Sequence, residues 1–178
     1  MGVKHLYLAY LSRPASDRVL YKLIRRHRCR VLLEIGMGLG ERATRMIDVA
    51  LSRSSEVEYI GVDLFEARGD EDGPGRSLKE MHRRLASSGA KVRLIPGDPH
   101  MALARSANQI GNVDLLVISD DIDPDAMDRA WFYVPRLLNE ATQVMAEAES
   151  CDGELTVEPV DRRLIAELSN VATPARAA

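Results

Sequence analysis

This sequence has few cysteines, few aromatic residues, no long apolar run and only a small net charge. The only two cysteines, Cys29 and Cys151, stand far apart, so the sequence offers neither a zinc ligand set nor a disulfide framework. Aromatic residues make up 4% of the chain, and no apolar run approaches the length of a membrane span. The formal net charge of -3 gives no reason to expect a nucleic-acid partner. We therefore expect a cytoplasmic protein that does not bind membranes, and the mild acidity disfavours a nucleic-acid partner without excluding it.

The remaining composition is that of one globular domain. Hydrophobic residues make up 46% and charged residues 29% of the 178 residues, which is enough for a single core of ordinary size. No repeat, low-complexity segment or linker divides the chain. We predict one domain over 1–178, with a helical segment at 1–29, a core that holds the site at 30–146, and a short C-terminal strand and helix at 147–178.

Short apolar runs alternate with stretches of helical spacing, which is typical of a parallel sheet covered by helices. The predicted strands are 31–35, 59–63, 92–95, 113–118, 142–146 and 154–157. The predicted helices are 41–52, 99–109, 124–138 and 161–168, with a further helix after Ser77. The run at 113–118 is the most apolar, so we expect it in the centre of the sheet. The pattern predicts an α/β fold, a three-layer Rossmann-like sandwich with about six mostly parallel strands.

A glycine-rich turn with the sequence EIGMGLG lies at 34–40, between the first predicted strand and its helix. Gly36, Gly38 and Gly40 allow a sharp turn and a close approach of a ligand to the main chain, in front of the N–H groups of a helix. A nicotinamide dinucleotide motif would need its third glycine at position 41, where Glu41 stands. A positively charged amino-acid group would tolerate the carboxylates of Glu34 and Glu41 better than a pyrophosphate would.

Side chains suited to a nucleoside follow the next predicted strands. Asp63 ends the second strand, where a carboxylate can accept hydrogen bonds from both hydroxyls of a ribose. Phe65 could lie against an adenine ring, and Asp98 after the third strand could accept the adenine amino group. Asp120 follows the fourth strand, at the edge where reaction sites usually form in such sheets.

This set of motifs resembles that of the class I S-adenosylmethionine-dependent methyltransferases over 30–146. The resemblance implies that segment 34–40 contacts the methionine part of the cofactor S-adenosylmethionine. It further implies that Asp63 contacts the ribose, Asp98 the adenine, and Asp120 the cleft beside the transferable methyl group. No residue is identified as catalytic; the candidates are Asp120 and His100.

Each of these residues also has a structural explanation. The glycines could form only a tight turn, and Asp63 could cap a turn. Asp98 precedes Pro99 and could be a helix N-cap. Phe65 is more often a core residue than a base platform, and a single histidine such as His100 is more often structural than catalytic.

Four acids after the fourth predicted strand, Asp120, Asp121, Asp123 and Asp125, offer the oxygen ligands that Mg²⁺ prefers. The metal-dependent branch of the same family also has an Asp-Asn pair at the fifth strand, and segment 142–146 contains none. We expect no metal, because turn and N-cap chemistry accounts for most of these acids.

Three functions follow from the sequence. The first is an S-adenosylmethionine-dependent methyltransferase of unknown acceptor, which transfers the sulfonium methyl by in-line displacement. The second is a methyltransferase-like binding or assembly module without activity, which the short C-terminal region favours. An NAD-dependent oxidoreductase is a distant third, and a homodimer is possible. Substrate contacts would come from 5–18, from 65–75 and from the aromatic residues Trp131, Phe132 and Tyr133.

Overall fold

The computed structural model describes residues 7–8, 11–69, 72–149 and 152–172. Helices and strands alternate along most of this length, as the apolar pattern predicts. In chain order the elements are α1 Arg18–His27, β1 Val31–Ile35, α2 Glu41–Leu51, β2 Glu58–Asp63, α3 Leu78–Ala86, β3 Lys91–Pro96, α4 Pro99–Ile110, β4 Leu115–Ile118, α5 Pro124–Ala130, β5 Gln143–Glu149, β6 Leu155–Pro159 and α6 Arg162–Val171. Two short 3-10 helices, Phe65–Ala67 and Val134–Leu137, complete the set.

The strands form one sheet in the order β3-β2-β1-β4-β5-β6. All neighbouring pairs run parallel except β5 and β6, which are antiparallel. In this register Glu34 of β1 lies beside Gly61 of β2 on one side and Val117 of β4 on the other. The carboxyl ends of β1, β2 and β4 therefore meet at one edge of the sheet. The predicted α/β fold with six mostly parallel strands is confirmed.

Helices cover both faces of the sheet and divide the core into two layers. On one face, Ile24 of α1, Met46 of α2 and Met81 of α3 are fully enclosed. On the other face, Leu103 of α4, the α5 helix and Ile165 of α6 pack together. β1 and β4 run between the two layers, and all four residues of β4 are buried. Strands buried on both faces need continuous apolar sequence, which is why the run at 113–118 predicted a central strand.

The helix after Ser77 begins as its sequence predicts. The Glu80 N–H donates to the Ser77 hydroxyl at 3.2 Å, and the Ser77 N–H donates to the Glu80 carboxylate at 3.1 Å. This reciprocal pair satisfies two N–H groups that the first helical turn leaves without partners. The helix predicted after Ser77 is thus confirmed, and Ser77 and Glu80 form its capping box.

The predicted helix over 124–138 is wrong in its second half. The α5 helix ends at Ala130, and a separate 3-10 turn follows at Val134–Leu137. Pro135 has no N–H to donate to the carbonyl of Trp131, and its ring opposes a continuous helix through this position. Trp131 is buried in the core, while the Phe132 and Tyr133 rings contact each other edge to face at 5.0 Å.

Several expectations concern the ends of the chain. The sheet has six strands within the described residues, and the strand predicted at 154–157 and the helix predicted at 161–168 are present as β6 and α6. The segments 1–6, 9–10, 70–71, 150–151 and 173–178, which include parts of the expected substrate contacts and Cys151, lie outside the described residues. None of the described helices is long and apolar enough to cross a membrane.

Candidate cofactor site at the carboxyl edge of the sheet

The glycine turn, defined here as residues 36–40, joins β1 to α2 in a conformation that requires glycine. Gly36, Gly38 and Gly40 have φ values of 82°, 51° and 71°, which L side chains rarely adopt. A Cβ on Gly36 would lie 2.6 Å from the Ser119 Cβ, and one on Gly40 would lie 2.5 Å from the Met81 sulfur. Packing therefore requires glycine at position 36, in agreement with the tight-turn explanation, whereas the Met81 side chain that faces Gly40 is flexible. Gly38 meets only ordinary contacts, the nearest at 3.5 Å.

Asp63 ties the end of β2 to the glycine turn. The N–H groups of Met37 and Gly38 donate to its Oδ2 at 2.7 and 3.0 Å, and the Phe65 N–H donates to its Oδ1 at 3.0 Å. The carboxylate is 5% exposed and stands where the carboxyl ends of β1 and β2 meet. A buried carboxylate in this position fixes the shape of the turn, because each of its hydrogen bonds is charge-assisted.

Arg68 forms a two-pronged salt bridge with the same carboxylate. Its Nε lies 2.8 Å from Oδ1 of Asp63 and its Nη2 lies 2.9 Å from Oδ2. The guanidinium also contacts Asp121 at 3.3 Å and donates to the carbonyl of Asp72. Burial alone would raise the pKa of Asp63, but the bonds from Arg68 and the main chain outweigh it and lower the pKa. Asp63 is therefore held as a carboxylate.

Behind the turn, a buried ionic cluster surrounds Arg42 of α2. Its Nε lies 2.7 Å from Glu34 Oε1, and its Nη1 lies 2.5 Å from Glu147 Oε1 and 3.7 Å from Asp17 Oδ1. Glu34 is completely enclosed, and its second oxygen accepts a short hydrogen bond from the Tyr59 hydroxyl. One guanidinium thus lies among three carboxylates that are all largely removed from solvent.

The pKa shifts in this cluster follow from burial and from the shared cation. Burial raises the pKa of Glu34 and of Asp17, because desolvation disfavours the charged form and exceeds the effect of Arg42. For Glu147 the opposite holds: the cost of burial is outweighed by Arg42 and by the Ser119 hydroxyl, and its pKa is lowered. Asp17 Oδ1 is buried without a hydrogen-bond partner among the described residues.

Asp120 lies exposed at the end of β4, on the edge that the sequence predicts for a reaction site. Its N–H points to Glu147 Oε2 at 3.4 Å, and Ser119 donates to the same oxygen at 2.7 Å. Partial burial and the neighbouring carboxylate of Glu147 raise the pKa of Asp120.

Asp123 accepts a hydrogen bond from the Asp125 N–H at 3.1 Å, which is the turn chemistry expected of these acids. The described residues contain no group of three side chains placed to hold a metal ion.

The other predicted site residues lie at varying distances from this edge. Asp98 caps α4 by accepting the Met101 N–H at 2.9 Å, in agreement with the N-cap explanation, and it also lines the cleft beside Asp63. His100 follows in the first turn of α4, where its ring lies 5.8 Å from that of Tyr133. Phe65 is 3% exposed and packs into the core on the α1–α3 face, so its ring does not line the cleft.

The cleft in front of the glycine turn is narrow. It is bounded by Gly36, Asp63, Arg68, Asp98 and Asp121. Its volume is about 20 Å³, room for about one water molecule, whereas pockets for small molecules span about 300–1,000 Å³. The polar groups suit a nucleoside, because a carboxylate at the end of β2 lies beside the glycine turn at the end of β1. At this volume the cleft does not hold a nucleoside in the present conformation.

Sequence reasoning missed Arg68, Arg42, Tyr59 and Glu147. The charge of Glu34 inside a strand of apolar residues was a signal that a buried cation must lie nearby, because a buried carboxylate needs a partner. Arg42 follows eight positions later, in the first turn of the next helix, and was available as that partner. The placement of Arg68 and Glu147 depends on the path of the chain and has no comparable signal.

No protein family and no protein of curated function matches this sequence. Solved structures do match it. They include a methyltransferase from Geobacter sulfurreducens, 18% identical with a TM-score of 0.51 over 80% of this chain and 65% of that one. A TehB-like SAM-dependent methyltransferase from Corynebacterium glutamicum is 14% identical, with a TM-score of 0.54 over 95% of this chain and 78% of that one.

A third match is the O-methyltransferase TomG from Streptomyces achromogenes, which is involved in tomaymycin synthesis and was solved in complex with SAM. It is 14% identical, with a TM-score of 0.52 over 83% of this chain and 66% of that one. The present chain spans just under two thirds of the length of the Geobacter and Streptomyces proteins. The likeness is one of fold: the chain has the Rossmann-like fold of the class I S-adenosylmethionine-dependent methyltransferases.

Proposed function

We propose that this protein binds S-adenosylmethionine at the carboxyl edge of its sheet and transfers the sulfonium methyl group to an acceptor. The observation that carries the proposal is the pair of hydrogen bonds between Asp63 and the glycine turn. The carboxylate that ends β2, Asp63, holds the N–H groups of Met37 and Gly38 in the turn that ends β1. A glycine turn after the first strand and an acid at the end of the neighbouring second strand are the elements with which such sheets hold the ribose of a nucleoside.

The roles of the chain's own residues follow from their placement. Asp63 is the ribose acceptor, the glycine turn faces the amino-acid end, and Asp98 lines the cleft on the adenine side. When bound, the cofactor supplies an activated methyl group, so the protein needs to orient an acceptor and exclude water more than to provide a nucleophile. Asp120 is exposed at the end of β4, where a carboxylate can receive a proton from the acceptor.

Isothermal titration calorimetry with S-adenosylhomocysteine, S-adenosylmethionine and NAD tests this proposal. We expect binding of the first two and none of NAD. The variant Asp63→Ala removes the ribose acceptor and should weaken the binding of S-adenosylhomocysteine by about 1–3 kcal/mol, the cost of hydrogen bonds to a charged group. A change of that size is about 5- to 150-fold in the dissociation constant.

The control is Asp125→Ala, which removes an exposed acid from the same edge of the sheet. It should leave the affinity unchanged, which separates the ribose contact from the overall charge of the edge. Because Asp63 also holds the glycine turn, the thermal melting of each variant is measured alongside. Equal affinities in the wild-type protein and a folded Asp63→Ala variant would refute the assignment, and binding of NAD alone would refute the cofactor.

A binding module without activity is the second candidate. It is favoured by the salt bridge of Arg68 to Asp63, which takes up the oxygens that a ribose would use. Failure of both S-adenosyl compounds to bind at millimolar concentration would favour this candidate.

A further inference from the structure

Asp63 has no remaining capacity for a ribose in the conformation described here. Its two oxygens accept five hydrogen bonds: three from the main chain and two from Arg68. A carboxylate has about four lone-pair sites. The main-chain donors are fixed by the glycine turn (Met37 and Gly38) and by the 3-10 helix after β2 (Phe65), so the two bonds from the Arg68 side chain are the ones that a ligand can replace.

The Arg68 side chain is well fixed in this position. It is 8% exposed, its third nitrogen donates to the carbonyl of Asp72, and its Nη2 also reaches Asp121 at 3.3 Å. A Cβ on Gly75 would collide with the Arg68 side chain, so glycine at 75 gives the guanidinium its path across the loop. Arg68 therefore joins the β2 end, its own loop and the β4 end across the front of the cleft.

We propose that Arg68 is an internal competitor of the cofactor: its guanidinium occupies the ribose position on Asp63 and sets the affinity of the site. The inference rests on the proposed function. The donors of Arg68 lie at 2.8 and 2.9 Å from the two oxygens, which is the spacing at which two ribose hydroxyls would approach. The cofactor binds when the guanidinium leaves Asp63, and Asp121 remains beside it as an alternative partner.

Competition of this kind has a definite thermodynamic form. If only the conformation with Arg68 displaced can bind, the measured dissociation constant equals the intrinsic one divided by the fraction of molecules in that conformation. When the competing guanidinium is removed, binding no longer requires a rearrangement, and the measured dissociation constant falls towards the intrinsic one. If Arg68 instead contacted the cofactor, its removal would raise the dissociation constant.

The experiment is calorimetric titration of S-adenosylhomocysteine into the wild-type protein, Arg68→Ala and Arg68→Gln. We expect Arg68→Ala to bind about tenfold more tightly or better, since a minor binding-competent state commonly makes up about 0.1–10% of the molecules. Arg68→Gln keeps a donor without the two-pronged geometry and should gain less. Arg83→Ala, an exposed arginine on α3, is the matched control and should bind like the wild-type protein.

A second readout isolates the ribose hydroxyls. The gain of Arg68→Ala should be large with adenosine and smaller with 2′,3′-dideoxyadenosine, which cannot donate to Asp63 and so depends less on the departure of Arg68, as measured by the same titration or by ligand-observed NMR. Thermal melting establishes that each variant is folded, and Arg68→Gln serves if the alanine variant is not.

The outcomes separate the two proposals. Tighter binding in the Arg68 variants, or binding seen only in them, supports the competition. Equal or weaker binding in a folded Arg68 variant of a protein that does bind S-adenosylhomocysteine overturns the competition and leaves the proposed function standing. Absence of binding in the wild-type protein and in all variants overturns both.

Discussion

Replacing Arg42 with methionine should lower the free energy of unfolding by about 3–5 kcal/mol at about pH 7, the range measured when one partner of a buried ion pair is removed. The side chain is enclosed beside Glu34, Glu147 and Asp17, and it is their shared cation. Methionine retains much of the volume, so the loss reports the uncompensated charge of the carboxylates. Urea unfolding monitored by circular dichroism measures it. Arg53→Met, at an exposed position after α2, should stay within about 0.5 kcal/mol of the wild-type protein.

The deficit of Arg42→Met should also depend on pH, with a sign fixed by Glu34. Burial already raises the pKa of Glu34 in the folded protein, and loss of Arg42 raises it further. A carboxyl group whose pKa is higher in the folded state contributes its full stability below the unfolded pKa, about 4.3. That contribution is lost as the pH rises through the folded pKa. The difference between variant and wild-type protein should therefore shrink as the pH falls from about 7 towards about 5. A difference that stays constant or grows over this range would contradict the ionic account of the cluster.

Gly36→Ala should cost about 2–4 kcal/mol of stability, because two separate penalties add. The φ value of 82° disfavours any side chain, and the new Cβ would lie 2.6 Å from the Cβ of Ser119. Asp121 and Ile122 crowd the same position, with atoms at 2.8 and 2.9 Å. The glycine turn and the loop after β4 would have to separate to admit the methyl group.

Gly89→Ala is the control for the penalty of a positive φ. Gly89 has a φ of 90°, close to the 82° of Gly36, and the nearest atom to a Cβ there would lie at 4.0 Å. The excess cost of Gly36→Ala over Gly89→Ala, expected at about 1–3 kcal/mol, measures the close packing of the turn against the β4 end. Equal costs for the two variants, measured by chemical unfolding, would show that the turn does not pack as described.

The sequence predicts the sheet well because its signals are local. The apolar runs of β1, β2 and β4 and the Ser-x-x-Glu pattern before α3 depend on neighbouring residues alone, and each lies where expected. The helix predicted over 124–138 fails for a local reason too, since Pro135 breaks it. The break in the helix could have been predicted, because proline in the interior of a helix kinks or ends it.

The site could be predicted only in its backbone part. The glycine turn and Asp63 come together because parallel strands align their carboxyl ends, which the strand pattern already implies. The partners of Asp63 depend instead on the loop after β2, whose path no short-range pattern fixes. Arg68 returns to a carboxylate five residues earlier, and Glu147 reaches Arg42 from β5. Phe65 has a φ of 51°, which directs its side chain into the core in place of the predicted stacking position.

The central claim is that an S-adenosyl compound lies against the glycine turn, and titration of the ¹⁵N-labelled protein with S-adenosylhomocysteine tests it most directly. We expect the largest amide shifts at Gly36, Gly38, Asp63 and Gly97, which surround the carboxyl edge of β1, β2 and β3. A second open groove, lined by Arg30, Val57 and other residues, lies at the opposite edge of the sheet. Shifts confined to that groove, or no shifts at millimolar ligand, would contradict the account.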